Sequence, residues 1–251
     1  MYNEVWQKYK KGFIFILPFI LLQVIFESMG FNRTKDVTVD TYKLTKEIGT
    51  MMMNSIGLKS TTVNNAIWLI LFLFVSSLFY LFLTVITKNL INEEPINYKE
   101  NFEESIDYFT RYLGVNIIMT IVLTIGTLIS GLFIISVYTI FLAPILIICM
   151  DTLLKPCGAY LVYYNSNIDE ALSDGVKLGK DYFWRIVFFN LIITFMNILT
   201  NTSTKLNIIT YSLMDFLKVS VEFYILMFSM YICKREDVLN RKKANQKNIE
   251  L

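Results

Sequence analysis

The sequence predicts an all-α protein, a polytopic membrane helix bundle with six transmembrane helices. Three observations carry that prediction. Of 251 residues, 55% are apolar, 15% aromatic and only 18% charged. That is too little charge to cover a soluble domain and too much apolar surface for a disordered chain. The apolar residues gather into runs close to the roughly 20 residues that cross a hydrocarbon layer. From Leu113 to Met150 no charged residue occurs, a stretch too long for one crossing.

Taken in order, the first span is expected at about 12–29, interrupted by Pro18 and Gln23. No small-residue cleavage site follows it, so a cleavable leader is not expected. The second runs over about 65–87, free of charge from Asn65 until Lys88. The charge-free stretch reads as a hairpin, with spans at about 113–130 and 137–163 turning near Gly131–Ser136. The fifth lies at about 183–199 and the sixth at 208–233, leaving 234–251 as a basic tail on a single integral membrane domain. Between the first two spans, Leu44, Ile48, Met51, Met52 and Ile56 recur at helical spacing. This segment is either a short helix on the outer leaflet or a loop packed on the helix ends.

Basic residues set the orientation. With the N-terminus inside, the cytoplasmic segments hold Lys8, Lys10, Lys11, Lys88, Lys99, Arg111, Lys177, Lys180 and Arg185. The tail adds Lys234, Arg235, Arg241, Lys242, Lys243 and Lys247, which makes fifteen inside. Only six fall outside: Arg33, Lys35, Lys43, Lys46, Lys59 and Lys205. The expectation is a multi-pass cell-membrane protein with both termini in the cytoplasm. Its tail would hold anionic lipid, each basic residue there contributing about 1 kcal/mol.

An internal repeat is visible at a shift of 70 residues. Asn97, Glu100, Phe102, Glu104, Ile106 and Tyr112 fall on Asn167, Glu170, Leu172, Asp174, Val176 and Tyr182. Phe102, Ile106 and Phe109, like Leu172, Val176 and Gly179, mark one helical face. Each segment reads as an amphipathic elbow helix on the cytoplasmic surface that turns into a span. Residues 2–11 are a shorter version, which makes a three-fold repeat of helical hairpins. These units, with the run Asn167-Ile-Asp-Glu-Ala-Leu172, resemble a group of six-helix bacterial membrane proteins. That group is similar to the membrane domain fused to some glycerophosphodiester phosphodiesterases. The resemblance implies a fold and no activity, because the catalytic barrel and its histidines have no counterpart here. Heavy use of Ile, Asn, Lys, Phe and Tyr also fits an AT-rich bacterial genome.

Ionisable residues inside spans are costly and are functional candidates by default. Asp151 and Lys155 stand one helical turn apart in the fourth span. Asp215, Lys218 and Glu222 share a face of the sixth. Arg185 and Asn190 of the fifth could join a polar seam, as could Asn116 and Thr120 of the third. Glu222 is the hardest to excuse as a boundary residue, being about 17 Å of helix from the basic tail. These charges are either structural pairs between helices or the lining of a solute or ion path. For helix packing the candidates are Gly126 with Ser130, a small-xxx-small pair, and Gly158.

Several functions are excluded or disfavoured. The chain has no histidine, which removes imidazole metal sites and His-based triads. Cys149, Cys157 and Cys233 fall in apolar runs and read as small hydrophobes. A net charge of +2 gives no reason to expect nucleic-acid binding. No phosphate loop or serine elbow appears, so no catalytic residue, metal or cofactor is expected. The reading is a transport- or export-associated membrane subunit, with the elbow helices docking a soluble cytoplasmic partner such as an ATPase. The alternative is a non-transporting membrane factor with an immunity, envelope-stress or scaffold role, and a lipid-acting membrane enzyme is least favoured.

Overall fold

A computed structural model describes residues 1–25, 60–132, 139–202 and 208–249, and among these it is helical apart from short turns. Seven helices follow one another: α1 (2–25), α2 (Ser60–Asn92), α3 (Tyr98–Leu132), α4 (Thr139–Tyr164), α5 (Ile168–Asp181), α6 (Phe183–Thr202) and α7 (Ile208–Ile249). Four contain stretches long and apolar enough to cross a membrane, namely Phe74–Asn92, Tyr98–Thr127, Ile145–Tyr164 and Ser212–Arg241. These mark a membrane protein. Four such stretches, against six expected, are found among the described residues; the fifth expected span is a shorter apolar stretch, Phe183–Asn197. The first span begins in α1, but its last residues and the Leu44–Ile56 segment lie outside the described residues.

The outer surface is what a lipid-facing bundle requires. Ile14, Leu21 and Ile25 of α1, Ile117, Ile121 and Ile125 of α3, and Phe188, Leu191 and Phe195 of α6 are all exposed. Polar side chains turn inward instead, because hydrocarbon offers them no hydrogen-bond partner. Between α2 and α3, Ser77, Thr84, Thr87, Asn89, Asn101 and Ser105 are buried. There Asn89 Nδ2 donates to Asn101 Oδ1 at 2.7 Å, and Lys88 Nζ pairs with Glu104 at 2.7 Å. This settles the face of the amphipathic segment at the start of α3. The expected stripe of Phe102 and Ile106 is exposed, with Phe109 half-buried, while the polar edge packs inward.

The elbows form once among the three places expected. Residues 2–25 and Tyr98–Leu132 are uninterrupted helices, so the first and second amphipathic segments run straight into the apolar stretches that follow. Only at Tyr182, between α5 and α6, does the helix break. The cause lies in how α5 packs. Its buried residues are Ala171, Gly175, Leu178 and Gly179, with Leu172 and Val176 half-buried. Gly175 faces Cys157 and Gly179 faces Leu153, so α5 lies antiparallel along the second half of α4, backbone against backbone. Among the expected packing residues, Gly126 receives the Met150 side chain and Gly158 the Tyr112 ring, both joining α3 to α4. The side chain of Ser130 falls outside the described residues.

At the centre stands α7. Between Phe223 and Cys233 only Leu226 and Tyr231 are not fully buried, and α2, α4 and α6 pack around it. Beyond Cys233 the helix continues through the basic tail to Ile249. All three cysteines are free.

The two turns before α3 and α5 are built alike. Glu93 (φ 64°) and Asn165 (φ 51°) adopt the left-handed conformation that ends a helix. In each, the next amide reaches back five residues, Glu94 to Asn89 O at 2.9 Å and Ser166 to Leu161 O at 3.2 Å. Cations complete both ends, as carbonyls at a helix C-terminus require. Lys8 and Lys234 both donate to Ile91 O at 2.9 Å. Lys8 also donates to Glu93, which holds that carboxyl below the usual carboxylate range. Arg111 donates to Asn165 O, Ser166 O and Asn165 Oδ1 at 3.2, 3.1 and 2.7 Å. Arg111→Met keeps the stem but loses all three bonds, and should lower stability by about 1–2 kcal/mol in a detergent melt. Asn165→Gly, which suits a positive φ, should cost less than Asn165→Val.

Candidate functional site

The site is built around α4. Asp151 and Lys155 face the same way, Nζ standing 3.7 Å from Oδ2, with about a third of each side chain exposed. The same Oδ2 accepts a hydrogen bond at 3.0 Å from Asn190 Nδ2 of α6, and that amide also donates to Thr152 Oγ1 at 2.9 Å. Asn190 is buried. Three of the residues singled out in the sequence therefore meet at one point.

From there a cleft of about 250 Å³ opens between α1, α2, α3, α4 and α7. Its charged lining is Asp151, Lys155 and Glu222; its neutral polar lining includes Gln23, Tyr80 and Asn116. Hydrogen bonds brace the walls. Gln23 Nε2 donates to Tyr80 Oη at 3.0 Å and joins α1 to α2; Asn116 Nδ2 donates to Ser77 Oγ at 3.0 Å and joins α2 to α3. Gly158 leaves room for the Tyr112 ring, which a Cβ there would meet at 3.1 Å. Ser229 of α7 also lines the cleft, and its buried Oγ has no hydrogen-bond partner among the described residues.

Other expected members lie elsewhere. Asp215 is buried and Lys218 half-buried on α7, and neither lines the cleft. Arg185 does not join a polar seam. It sits exposed at the start of α6, its guanidinium over the rings of Tyr2 at 6.0 Å and Tyr182 at 5.6 Å. The reason is its place three residues after the break at Tyr182, in the first turn of α6. Thr120 bonds back to Asn116 O on its own helix.

Chemically, Asp151, Lys155 and Glu222 give the cleft ionisable groups of both signs, which suit a charged or zwitterionic occupant. Among the described residues no group of His, Cys, Asp and Glu is placed to hold a metal ion. Sequence reasoning found the charges of the cleft but not Tyr80, Tyr112 or Ser229. The one available signal was Gln23, a polar residue interrupting an apolar run. No protein-family model, curated protein or solved structure matches this chain.

Proposed function

We propose that this chain is a transport- or export-associated membrane subunit whose α4–α7 cleft takes a small charged or zwitterionic solute. One observation carries the reading: Asp151, Lys155 and Glu222, from two helices far apart in sequence, line a single cleft walled by polar side chains. Ionisable groups inside a membrane bundle are functional candidates by default, and these border open volume. The reading includes six crossings with both termini cytoplasmic, and no catalytic step. It also includes the repeat. The matched turns at Glu93 and Asn165 support it, with α3 as the fused equivalent of α5 and α6. A soluble partner such as an ATPase would meet the polar face of α5, where Asp169, Glu170, Ser173, Lys177 and Lys180 are exposed. The basic end of α7 would rest on anionic lipid.

The test uses purified protein in liposomes carrying a sodium- or proton-sensitive dye, under an imposed potassium diffusion potential. Wild type should pass one of these ions. Glu222→Gln should abolish the flux while the melting temperature stays close to wild type, and Asp151→Asn should abolish it at temperatures where circular dichroism shows that variant folded. Wild-type vesicles that are silent to both ions, with Cys at position 222 closed to a water-soluble thiol reagent, would instead favour the non-transporting membrane factor.

A further inference from the structure

A second concavity, separate from the cleft, lies between α1, α6 and α7. Its volume is about 750 Å³, and its walls are largely aromatic: Tyr2, Trp6, Tyr9, Phe13, Phe189 and Tyr224. The rings are packed into position, Tyr9 against Tyr224 at 5.7 Å and Phe189 against Tyr224 at 5.1 Å. Tyr9 Oη donates to Ser220 O at 3.0 Å, so this polar atom in the wall is satisfied. Leu217, which also lines the concavity, is exposed. From Tyr2 to Phe13 the wall runs about 16 Å along α1, much of the length of an acyl chain.

One end of this groove is cationic. On α6, Arg185 stands one turn before Phe189, on the face that also carries Ile192 and Met196. On α7, Arg235 stands two turns beyond Phe228, which stacks on Tyr2 at 5.7 Å. Both guanidinium groups meet the sulfur of Met1, their Nη1 atoms at 2.6 and 3.1 Å. The two nitrogens are therefore within about 6 Å of each other, a like-charge approach that costs free energy unless an anion sits beside it. Neither arginine has a carboxylate within ion-pair distance among the described residues. The nearby acids are shared with other partners: Glu4 accepts from Tyr231 Oη, lies 3.4 Å from the Met1 amino group and feels the charge of Arg235 only at longer range, and Glu236 accepts from Tyr182 Oη at 2.8 Å. Lys10 adds a third cation over the Trp6 ring at 6.0 Å.

We propose that the groove between α1, α6 and α7 binds one anionic phospholipid, an acyl chain lying along Trp6, Tyr9 and Phe189 and the headgroup phosphate between Arg185 and Arg235. The apolar wall opens toward the hydrocarbon, which supplies the chain. The unpaired arginines select the charge of the head. This site shares Arg235 with the start of the basic tail but uses none of Arg241, Lys242, Lys243 or Lys247, and it does not depend on the function proposed for the cleft.

The experiment is fluorescence quenching of full-length protein carrying Trp68→Phe and Trp184→Phe, so that Trp6 alone emits. It is reconstituted with phosphatidylglycerol or phosphatidylcholine brominated on the acyl chains. Brominated phosphatidylglycerol should half-quench Trp6 at about one-twenty-fifth the mole fraction that phosphatidylcholine needs, since each of the two arginines beside an anionic head is worth about fivefold. Arg185→Gln with Arg235→Gln should erase that preference, and the paired lysine variants should keep most of it. Neutralising Lys242, Lys243 and Lys247 should leave it unchanged. Circular dichroism establishes that each variant is folded. Equal quenching by the two lipids, or a preference that survives the paired glutamine variant or disappears with the tail variant, would overturn the proposal.

Discussion

Gly179→Leu should detach α5 from α4, and even Gly179→Ala should lower stability by about 2 kcal/mol. In an open helix the alanine change would do the opposite, gaining about 1 kcal/mol through propensity. The sign turns on what the new carbon meets. A Cβ at Gly179 would run into Leu153 O and lie 2.9 Å from Leu153 Cα; at Gly175 it would lie 2.6 Å from Cys157 Cα. These are backbone atoms of α4, which no rotamer change can move aside. The whole of α5 must shift outward, and Ala171 and Leu178, now buried in the same face, lose their contacts with it. Gly114 supplies the contrast. Its Cβ would meet Ile168 Cδ1 at 2.6 Å, the far end of a flexible side chain that can swing away. Gly114→Ala should therefore stay within about 1 kcal/mol of wild type. Melting in detergent ranks the three variants, and hydrogen exchange over 164–182 should rise selectively for those at Gly179. Equal melting temperatures for Gly179→Ala and Gly114→Ala would show that the helices are not in backbone contact.

The same helix shows what the sequence could and could not reveal. Long apolar runs are a strong signal because a membrane imposes both length and composition, so helices over 65–87, 113–130 and 183–199 could be placed from residues alone. The hairpin turn expected near Gly131–Ser136 falls mostly outside the described residues, between α3 and α4. What periodicity could not give was which face turns inward. Phe102 and Ile106 look like a core stripe by the rule for soluble proteins, yet lipid accepts them and rejects Asn101 and Ser105. On α5 the packing face centres on two glycines, which carry no hydrophobic signal at all. Cleft residues divide in the same way. Charges in apolar runs announce themselves, whereas Tyr80, Tyr112 and Ser229 are ordinary residues made relevant only by the neighbours that packing supplies.

Asn190→Leu should cost about 2 kcal/mol, and the loss should depend on Asp151. Leucine fills a similar volume, so the change mainly removes the amide that donates to Asp151 Oδ2 and Thr152 Oγ1. Thr152 keeps a bond of its own, donating to Ile148 O at 2.6 Å. The cost therefore falls on Asp151, whose carboxylate loses a charge-assisted bond and is left with Lys155 at 3.7 Å. Hydrogen bonds to an ionised group contribute about 1.5–3 kcal/mol, against about 1 for neutral pairs. Placed in an Asp151→Asn background, Asn190→Leu should thus cost less than half of its effect in wild type. A double-mutant cycle in detergent reads the difference directly, with a coupling of about 1 kcal/mol expected. The same bond fixes which way Asp151 points into the cleft. If a solute is held there, Asn190→Leu should weaken its binding even at temperatures where the fold is intact, while Asn197→Leu, further along α6 and outside the cleft lining, should not. Additive losses at Asn190 and Asp151 would mean that α6 holds no part of the site and that the cleft owes its shape to the five helices that line it.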